Sequence, residues 1–308
     1  MKKTSTQTKE QLEALALQGL CFADDNVGEP FSIKEVSERL GMSYSYFYHT
    51  FVSVIGEPFW HYVKRHRLEL AAGLLRHSGY NINEISELCG YATTAALSKA
   101  FKQHFRESPM QFRKIQVLPN EKRTLDIAVT ITHSGGDTPL SSFFNIERCE
   151  KVTIPDTVLY YSLISRGQNP VAEMVAQMTH FLGLFHKMQT LYDIPNSRII
   201  TGTLDSVPVT DYEKLSMYAG IAIPASDLKT RIQLEGHYHY LLKKRIQGGT
   251  YLRLPLPIDW ATAGIPMYEF ISRNCKEGIF KMSGNHFFIS LSFANYCEIF
   301  IPTLRKHY

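Results

Sequence analysis

The sequence predicts a multidomain protein in which an all-α double helix-turn-helix domain precedes an α+β domain with duplicated strand-helix-strand-strand units. Three observations lead to this prediction. A helix-turn-helix pattern occurs twice about fifty residues apart, a polar, glycine-rich stretch follows, and strand and helix patterns then alternate. The expected ranges are 1–115 for the helical domain, 116–144 for a linker with one possible strand, and 145–308 for the α+β domain.

The two copies of the helical pattern cover residues 32–55 and 81–105. Their offset is 49 residues up to a shared glycine turn and 50 after one inserted residue. The matched pairs are Ile33 and Ile82, Val36 and Ile85, Gly41 and Gly90, Phe47 and Leu97, and Phe51 and Phe101. Self-similarity at a nearly fixed period indicates one supersecondary unit used twice.

Each copy carries the signals of two helices joined by a turn. Gly41 and Gly90 suit a chain that leaves a helix with positive φ, and Ser43 and Thr93 are the expected N-caps of the second helices. Between the copies, residues 58–75 predict one connecting helix of roughly 27 Å, with Pro58 in its first turn. Second helices held near one turn of duplex apart, about 34 Å, would enter consecutive major grooves.

The outward faces of the second helices are the expected DNA-reading surfaces. Residues 31–115 hold eleven Lys or Arg against seven Asp or Glu, a balance that favours a phosphate backbone. For any one outward residue, a plain solvated surface is the alternative. The outward residues are Tyr44, Ser45, Tyr48 and His49 in the first copy and Thr94, Ala95, Ser98, Lys99 and Lys102 in the second.

Residues 31–115 resemble the DNA-binding domain of the AraC/XylS family of bacterial transcription regulators. The phrases that carry the resemblance are Arg67 to Ala71 with Leu74 and Leu75, Ile82 to Ile85, and Phe101 to Phe105 followed by Ser108, Pro109, Phe112 and Arg113. The resemblance implies double-stranded DNA and RNA polymerase as partners. We expect an activator that reads an asymmetric site as a monomer, because one chain supplies both units.

The family pattern also implies which residues meet which part of the duplex. The base-facing residues would be Ser45, Tyr48, His49, Thr94, Ala95, Ser98 and Lys99, with Lys99 as the expected guanine reader. The candidates for phosphate contacts are Tyr44, Lys64, Arg65, Arg67, Lys102 and Arg113. The chain departs from the family at Arg106, where glycine is usual, at Tyr91 and at Ala95, so a known operator is not transferable.

Composition bounds the remaining functions. The N-terminus lacks the apolar core of a signal peptide, and no apolar run approaches the ~18 residues of a membrane span, so we expect a cytoplasmic protein. Residues 9–24 predict a leading amphipathic helix that packs on the first unit. The five cysteines lie in no close pair and are expected to be buried thiols, with redox sensing by Cys275 and Cys297 as the alternative. No metal or cofactor site is predicted.

The tail repeats the order strand, helix, strand, strand. The first set is expected at 158–164, 171–188, 198–204 and 218–224, and the second at 248–254, 260–276, 286–292 and 296–302. Each set ends in Ile-Pro. A separate strand is expected within 125–132, where Ile127, Val129 and Ile131 alternate.

Residues 145–305 resemble the GyrI-like effector-binding domain. The phrases that carry the resemblance are 218–224, 247–251 and 298–302. It implies a cleft of aromatic side chains around an acidic residue, which suits a small amphipathic ligand such as a lipophilic cation. Strand alternation puts Tyr296, Glu298 and Phe300 on one face. The expected effector-binding residues are Tyr160, Trp260, Phe287, Tyr296, Glu298 and Phe300.

Two other functions compete for the tail. Some GyrI-like domains are hydrolases, and Glu298 would then be a general base, but the sequence shows no second catalytic group and none of the common catalytic motifs. An enzyme is therefore not expected. The other alternative is a protein-interaction module without a ligand.

Overall fold

A computed structural model of the chain divides into two compact units. The first consists of Met1–Ala71 with Asn81–Pro109, and the second of Ala72–Tyr80 with Met110–Tyr308. The described residues are 3–114, 142–164, 170–192, 194, 197–205, 209–210, 216–238, 241–257, 260–283, 287–291 and 296–304.

Seven helices are described before residue 115. They are α1 (Lys3–Asp25), α2 (Ile33–Arg39), α3 (Tyr44–Ile55), α4 (Phe59–His77), α5 (Ile82–Leu88), α6 (Thr94–Phe105) and the single turn α7 (Pro109–Phe112). Helices α2 and α3 form the first helix-turn-helix unit, and α5 and α6 form the second. The expected helices are thus confirmed, and the leading helix is longer than its predicted range.

An aromatic core holds the first helix-turn-helix unit. Phe47, Phe51 and Phe59 are fully buried, and the ring of Phe59 lies 5.2 Å from Phe47 and 5.1 Å from Phe51, edge to face in both pairs. Helix α1 packs closely on this core, because a Cβ added at Gly19 would lie 2.9 Å from the Phe47 ring. The connecting helix α4 has 19 residues and is therefore roughly 28 Å long.

The second unit contains one antiparallel sheet of eight strands in the order β1-β6-β8-β7-β3-β4-β2-β5. The strands are β1 (Glu150–Ile154), β2 (Thr157–Ile164), β3 (Arg198–Thr203), β4 (Met217–Pro224), β5 (Leu242–Ile246), β6 (Gly249–Leu256), β7 (Phe288–Leu291) and β8 (Cys297–Pro302). Strands β6-β8-β7 and β2-β4-β3 meet at β7 and β3, so both sets pair their strands in the order first, third, second.

Helices pack on one face of this sheet. They are α8 (Pro170–Tyr192), α9 (Leu228–His237) and α10 (Trp260–Lys276). Their buried side chains, such as Phe185, Leu234 and Phe270, join strand residues in two apolar clusters. We call this side of the sheet the helix face and the other side the opposite face.

The sequence located most of these elements but missed three. The predicted strands and helices of both sets are present, whereas β1, β5 and α9 were not expected. The polar pattern of Leu242–Ile246, with Lys243, Lys244 and Arg245 in succession, gives no strand-like alternation of apolar residues. The strand expected within 125–132 lies outside the described residues.

Two further sequence predictions concern the cysteines and membrane-spanning helices. Cys21, Cys89, Cys275 and Cys297 are buried, Cys149 is half-buried, and all five are free thiols. Burial raises the pKa of Cys275 to about 12, which disfavours the thiolate needed for redox chemistry. In the described part of the chain, no helix is long and apolar enough to cross a membrane.

Candidate functional site

The turns of the two helix-turn-helix units have the same geometry. Gly41 and Gly90 both adopt φ of 68°, in the left-handed region that favours glycine. The N–H of Gly41 donates to the carbonyl of Glu38, and that of Gly90 donates to the carbonyl of Glu87. The N–H of the next residue in each turn donates to the carbonyl of a serine five positions earlier, Ser37 or Ser86, at 2.8 and 2.9 Å. The two turns therefore form the same hydrogen bonds at matched positions.

Matched capping boxes begin α2 and α5. The hydroxyl of Ser32 accepts the N–H of Glu35, whose carboxylate accepts the N–H of Ser32. These hydrogen bonds lower the pKa of Glu35. Asn81 and Glu84 repeat the arrangement, and the Asn81 side chain also accepts the N–H of Asn83.

The helices proposed to enter DNA are also capped at matched positions. Ser43 accepts the N–H of Tyr46 at 3.3 Å, and Thr93 accepts that of Ala96 at 3.1 Å. Each helix then ends on a residue in the left-handed conformation. This residue is Gly56 in the first unit, with φ of 84°, and Arg106 in the second, with φ of 64°.

The outward face of α3 is aromatic. Tyr44 and His49 are exposed, and the ring of Tyr48 stacks on that of Tyr44 at 6.3 Å and packs edge-on against His49 at 5.4 Å. Ser45 is also exposed, whereas Phe47 and Phe51 point into the core. Tyr44 is 53% exposed, so this face offers flat rings with polar edges to a partner.

The outward face of α6 is small and basic instead. Ala95, Lys99 and Lys102 are exposed, and Thr94 and Ser98 are half-buried. The inward positions are taken by Leu97 and Phe101, both fully buried. A face of short side chains with two lysines suits close approach to a groove between phosphates.

The structure corrects one expected phosphate contact, Arg65. Its side chain is 8% exposed and forms ion pairs with Glu57 at 2.7 Å and Glu69 at 3.0 Å. A guanidinium already paired with two carboxylates is not available to a phosphate. Lys64, the preceding residue, is exposed and remains a candidate.

Arg67 and Arg113 also have internal roles. Arg67 donates to the carbonyls of Glu29 at 2.7 Å and Gly90 at 3.2 Å, and so it holds the turn of the second unit. Arg113 donates to the carbonyl of Tyr80 at 2.6 Å. Burial lowers the pKa of both guanidinium groups, and we assign both to structure rather than to phosphate binding.

The expected effector residues of β8 lie where strand alternation placed them. Cys297, Ile299 and Ile301 belong to the core on the helix face, which puts Glu298 and Phe300 on the opposite face. The hydroxyl of Tyr296 lies 3.4 Å from the Glu298 carboxylate.

Cationic side chains of the protein already contact Glu298 and Phe300. Arg253 forms an ion pair with Glu298 at 3.5 Å, and the guanidinium of Arg198 lies 4.8 Å from the centre of the Phe300 ring. A lipophilic cation would have to displace both.

Of the other expected effector residues, the side chains of Tyr160 and Phe287 are described. Tyr160 is a correction: it is 1% exposed in the core of the helix face, and its hydroxyl donates to Glu235 at 2.7 Å. Burial raises its pKa to about 12. Phe287 packs on Tyr268 at 5.1 Å and lines a cavity beside the sheet. Trp260 is the first residue of α10, and its side chain lies outside the described part of the chain.

Sequence reasoning missed several exposed or cavity-lining residues. Tyr46 is 49% exposed on α3 but was not among the outward residues, because a helix that buries only three residues exposes more than one stripe. Tyr80, Lys244 and Phe288 line a cavity on the opposite face of the sheet. Strand pairing brings Lys244 and Phe288 together and Tyr80 joins them from outside the sheet, so no local signal reveals the cavity.

Comparison with known proteins bears on the helical part. A family model described as a helix-turn-helix domain matches residues 36–115. The transcriptional regulator AlkR of Acinetobacter baylyi is 36% identical over 86 residues, which are 28% of each chain. Regulatory protein SoxS of Escherichia coli is 28% identical over 94 residues, 30% of this chain and 88% of SoxS.

Residues 36–115 are an AraC-family DNA-binding domain.

A solved transcriptional regulator from Chromobacterium violaceum, described as AraC-type, is 22% identical over 38% of this chain and 99% of its own, with a TM-score of 0.32. The chain spans only 28% of AlkR and 31% of the Msm operon regulatory protein of Streptococcus mutans. The family match ends at residue 115, so the GyrI-like identity of the second unit stays a prediction.

Proposed function

We propose that the protein is an AraC-family transcription regulator, and specifically an activator that binds an asymmetric DNA site as a monomer. The observation that supports this most is the agreement of the two helix-turn-helix units in turn hydrogen bonds, capping boxes and cap positions. One chain thereby presents two reading helices, α3 and α6, joined through α4. Contact with RNA polymerase and action in the cytoplasm belong to the same proposal.

Binding-site selection tests the DNA-binding role. The full chain is used to enrich duplexes from a random pool, and the enriched duplex is compared with unselected DNA by fluorescence anisotropy at one salt concentration. We expect the enriched site to bind about a thousandfold more tightly, the lower end for specific proteins, because neither reading face holds an arginine. Equal affinity for both duplexes would exclude a sequence-specific regulator.

We further propose that the second unit senses a small amphipathic ligand. An eight-stranded sheet with a lined cavity on one face supports a ligand site. A protein-interaction module is the second candidate, because Leu228 and Ile232 on α9 are 61% and 72% exposed, one helical turn apart. Loss of a partner in Ile232→Asp, with ligand binding intact, would favour this second role.

A further inference from the structure

The opposite face of the sheet carries a cavity whose lining includes one expected effector-binding residue, Phe287. Its volume is about 510 Å³, within the usual range for small-molecule sites. Leu159, Tyr218 and Phe288 come from β2, β4 and β7, and Tyr251 from β6 adds a further ring to the wall. An apolar body with flat rings fits such a lining.

The only charged residues lining the cavity among those described are basic. Lys244 and Arg245 belong to β5, and no Asp or Glu is among the lining residues. Lys244 is paired with Leu159 in the sheet register and lies half-buried on the opposite face. Arg245 is paired with Val158 in the sheet register and therefore belongs to the helix face, so Lys244 is the lining charge on the opposite face.

Glu298, on the same face, adds no negative charge to the cavity lining. Glu298, the residue expected to attract a cation, does not line the cavity and is paired with Arg253. An ammonium on the wall of this cavity favours an anionic head group, because the attraction between opposite charges is stronger beside apolar side chains than in bulk water.

Tyr80 supplies part of the cavity wall from outside the sheet. This residue follows α4, and Ala72–Tyr80 belongs to the second unit. Its hydroxyl donates to the carbonyl of Ser283 at 2.7 Å, and the carbonyl of His77 accepts the N–H of Met282. The next residue is Asn81, the N-cap of α5. A ligand that touches Tyr80 therefore acts one peptide bond away from the second helix-turn-helix unit.

We propose that this cavity binds an amphipathic organic anion, with its acid group at Lys244 and its apolar body against Tyr80, Tyr218 and Phe288. Binding alters DNA affinity through Tyr80, and this last part rests on the proposed function. A cation-selective site at Glu298 is the competing arrangement.

Two probes with the same rings and opposite charge test the ligand class. Pyrenebutanoate and the pyrenylbutylammonium ion are titrated into the full chain without DNA, and binding is followed by fluorescence anisotropy. We expect the anion to bind at least about tenfold more tightly, a difference of about 1.4 kcal/mol. Equal binding of the two probes, or preference for the cation, would overturn the proposal.

A neighbouring lysine gives the matched control. Lys244→Met should weaken anion binding about tenfold and remove the preference for the anion, whereas Lys243→Met should change neither. Lys243 is one residue away but faces α9, where it pairs with Glu235 at 2.9 Å. Equal losses in both variants would assign the effect to general charge rather than to the cavity, and would contradict the proposal.

DNA affinity gives the readout for Tyr80. At pyrenebutanoate concentrations that saturate each protein, the wild-type chain should change its affinity for the enriched duplex several-fold, and Tyr80→Ala should change it by less than half as much. An unchanged wild-type affinity would refute the coupling. A chain that binds the probe but no DNA would refute the proposed function instead and leave the ligand result standing.

Discussion

The two helix-turn-helix units share a backbone plan but differ in what surrounds it. Both turns place glycine at φ of 68°. A Cβ added at Gly41 would meet nothing within 4 Å, whereas one added at Gly90 would lie 2.7 Å from the carbonyl oxygen of Val27 and 2.8 Å from the guanidinium carbon of Arg67. The first turn needs glycine for its conformation alone, and the second also needs it for packing.

The same contrast appears on the reading faces. α3 presents stacked aromatic rings, and α6 presents short side chains with Lys99 and Lys102. The two units therefore agree in their caps and turns and differ in their surroundings and exposed faces. We therefore expect matched substitutions in the two units to have unequal effects wherever the neighbours differ.

The largest difference is expected at the turn glycines. Gly90→Ala should lower the free energy of unfolding of the first compact unit by about 3 kcal/mol, because backbone strain and a steric clash act together, and Gly41→Ala by about 1 kcal/mol from strain alone. Urea unfolding is followed by the fluorescence of Trp60, which stacks on Phe31, in a Trp260→Phe background. Equal losses would show that the packing around Gly90 relaxes freely.

The next effect concerns DNA. Lys99→Ala should weaken binding to the enriched site by about 1 to 3 kcal/mol and relax its base preference, because lysine is the one side chain on either reading face suited to guanine. Anisotropy titrations compare it with Lys229→Ala, an exposed lysine of α9 in the second unit. An equal loss on unselected DNA would make Lys99 a phosphate contact.

Substitutions at the N-caps of α2 and α5 should differ less in their effect on the free energy of unfolding. Asn81→Ala should cost about 2 kcal/mol and Ser32→Ala about 1 kcal/mol, because the Asn81 side chain accepts two backbone N–H groups and the Ser32 side chain accepts one. The measurement is again urea unfolding observed through Trp60. A larger loss for Ser32→Ala would reverse the expected order.

The smallest effect is expected where the recognition helices end. Arg106→Gly should raise stability by about 0.5 to 1 kcal/mol, and Gly56→Arg should lower it by about the same amount, because a residue with a Cβ is strained at positive φ. If Arg106→Gly destabilised the unit, Arg106 would have to make a stabilising contact that offsets this strain.

Local signals made the helical domain predictable. The cap residues Ser43 and Thr93 and the turn residues Gly41 and Gly90 act within a few positions of the chain, so their spacing fixed the helices. In the second unit, alternation assigned Glu298 to the correct face of β8. The pairing of β8 with β6, which brings Arg253 to Glu298, depends on residues far apart in sequence and was not predictable.

The burial of Arg65 and Tyr160 was also not predictable from the sequence. The sequence predicted Arg65 as an exposed cation, but its guanidinium is buried and forms ion pairs with Glu57 and Glu69. The sequence predicted Tyr160 as a ligand contact, but its position in β2 directs the side chain toward the helix face. Both errors arise because sequence periodicity specifies an element but not its neighbours.

Hydroxyl-radical footprinting of the enriched duplex tests the central claim most directly. If α3 and α6 enter consecutive major grooves, the monomer should protect two patches on one side of the DNA, with centres about 10 base pairs apart, and Lys99→Ala should weaken only the patch under α6. A single protected patch, or two patches that appear only when a second copy of the chain binds, would contradict the account.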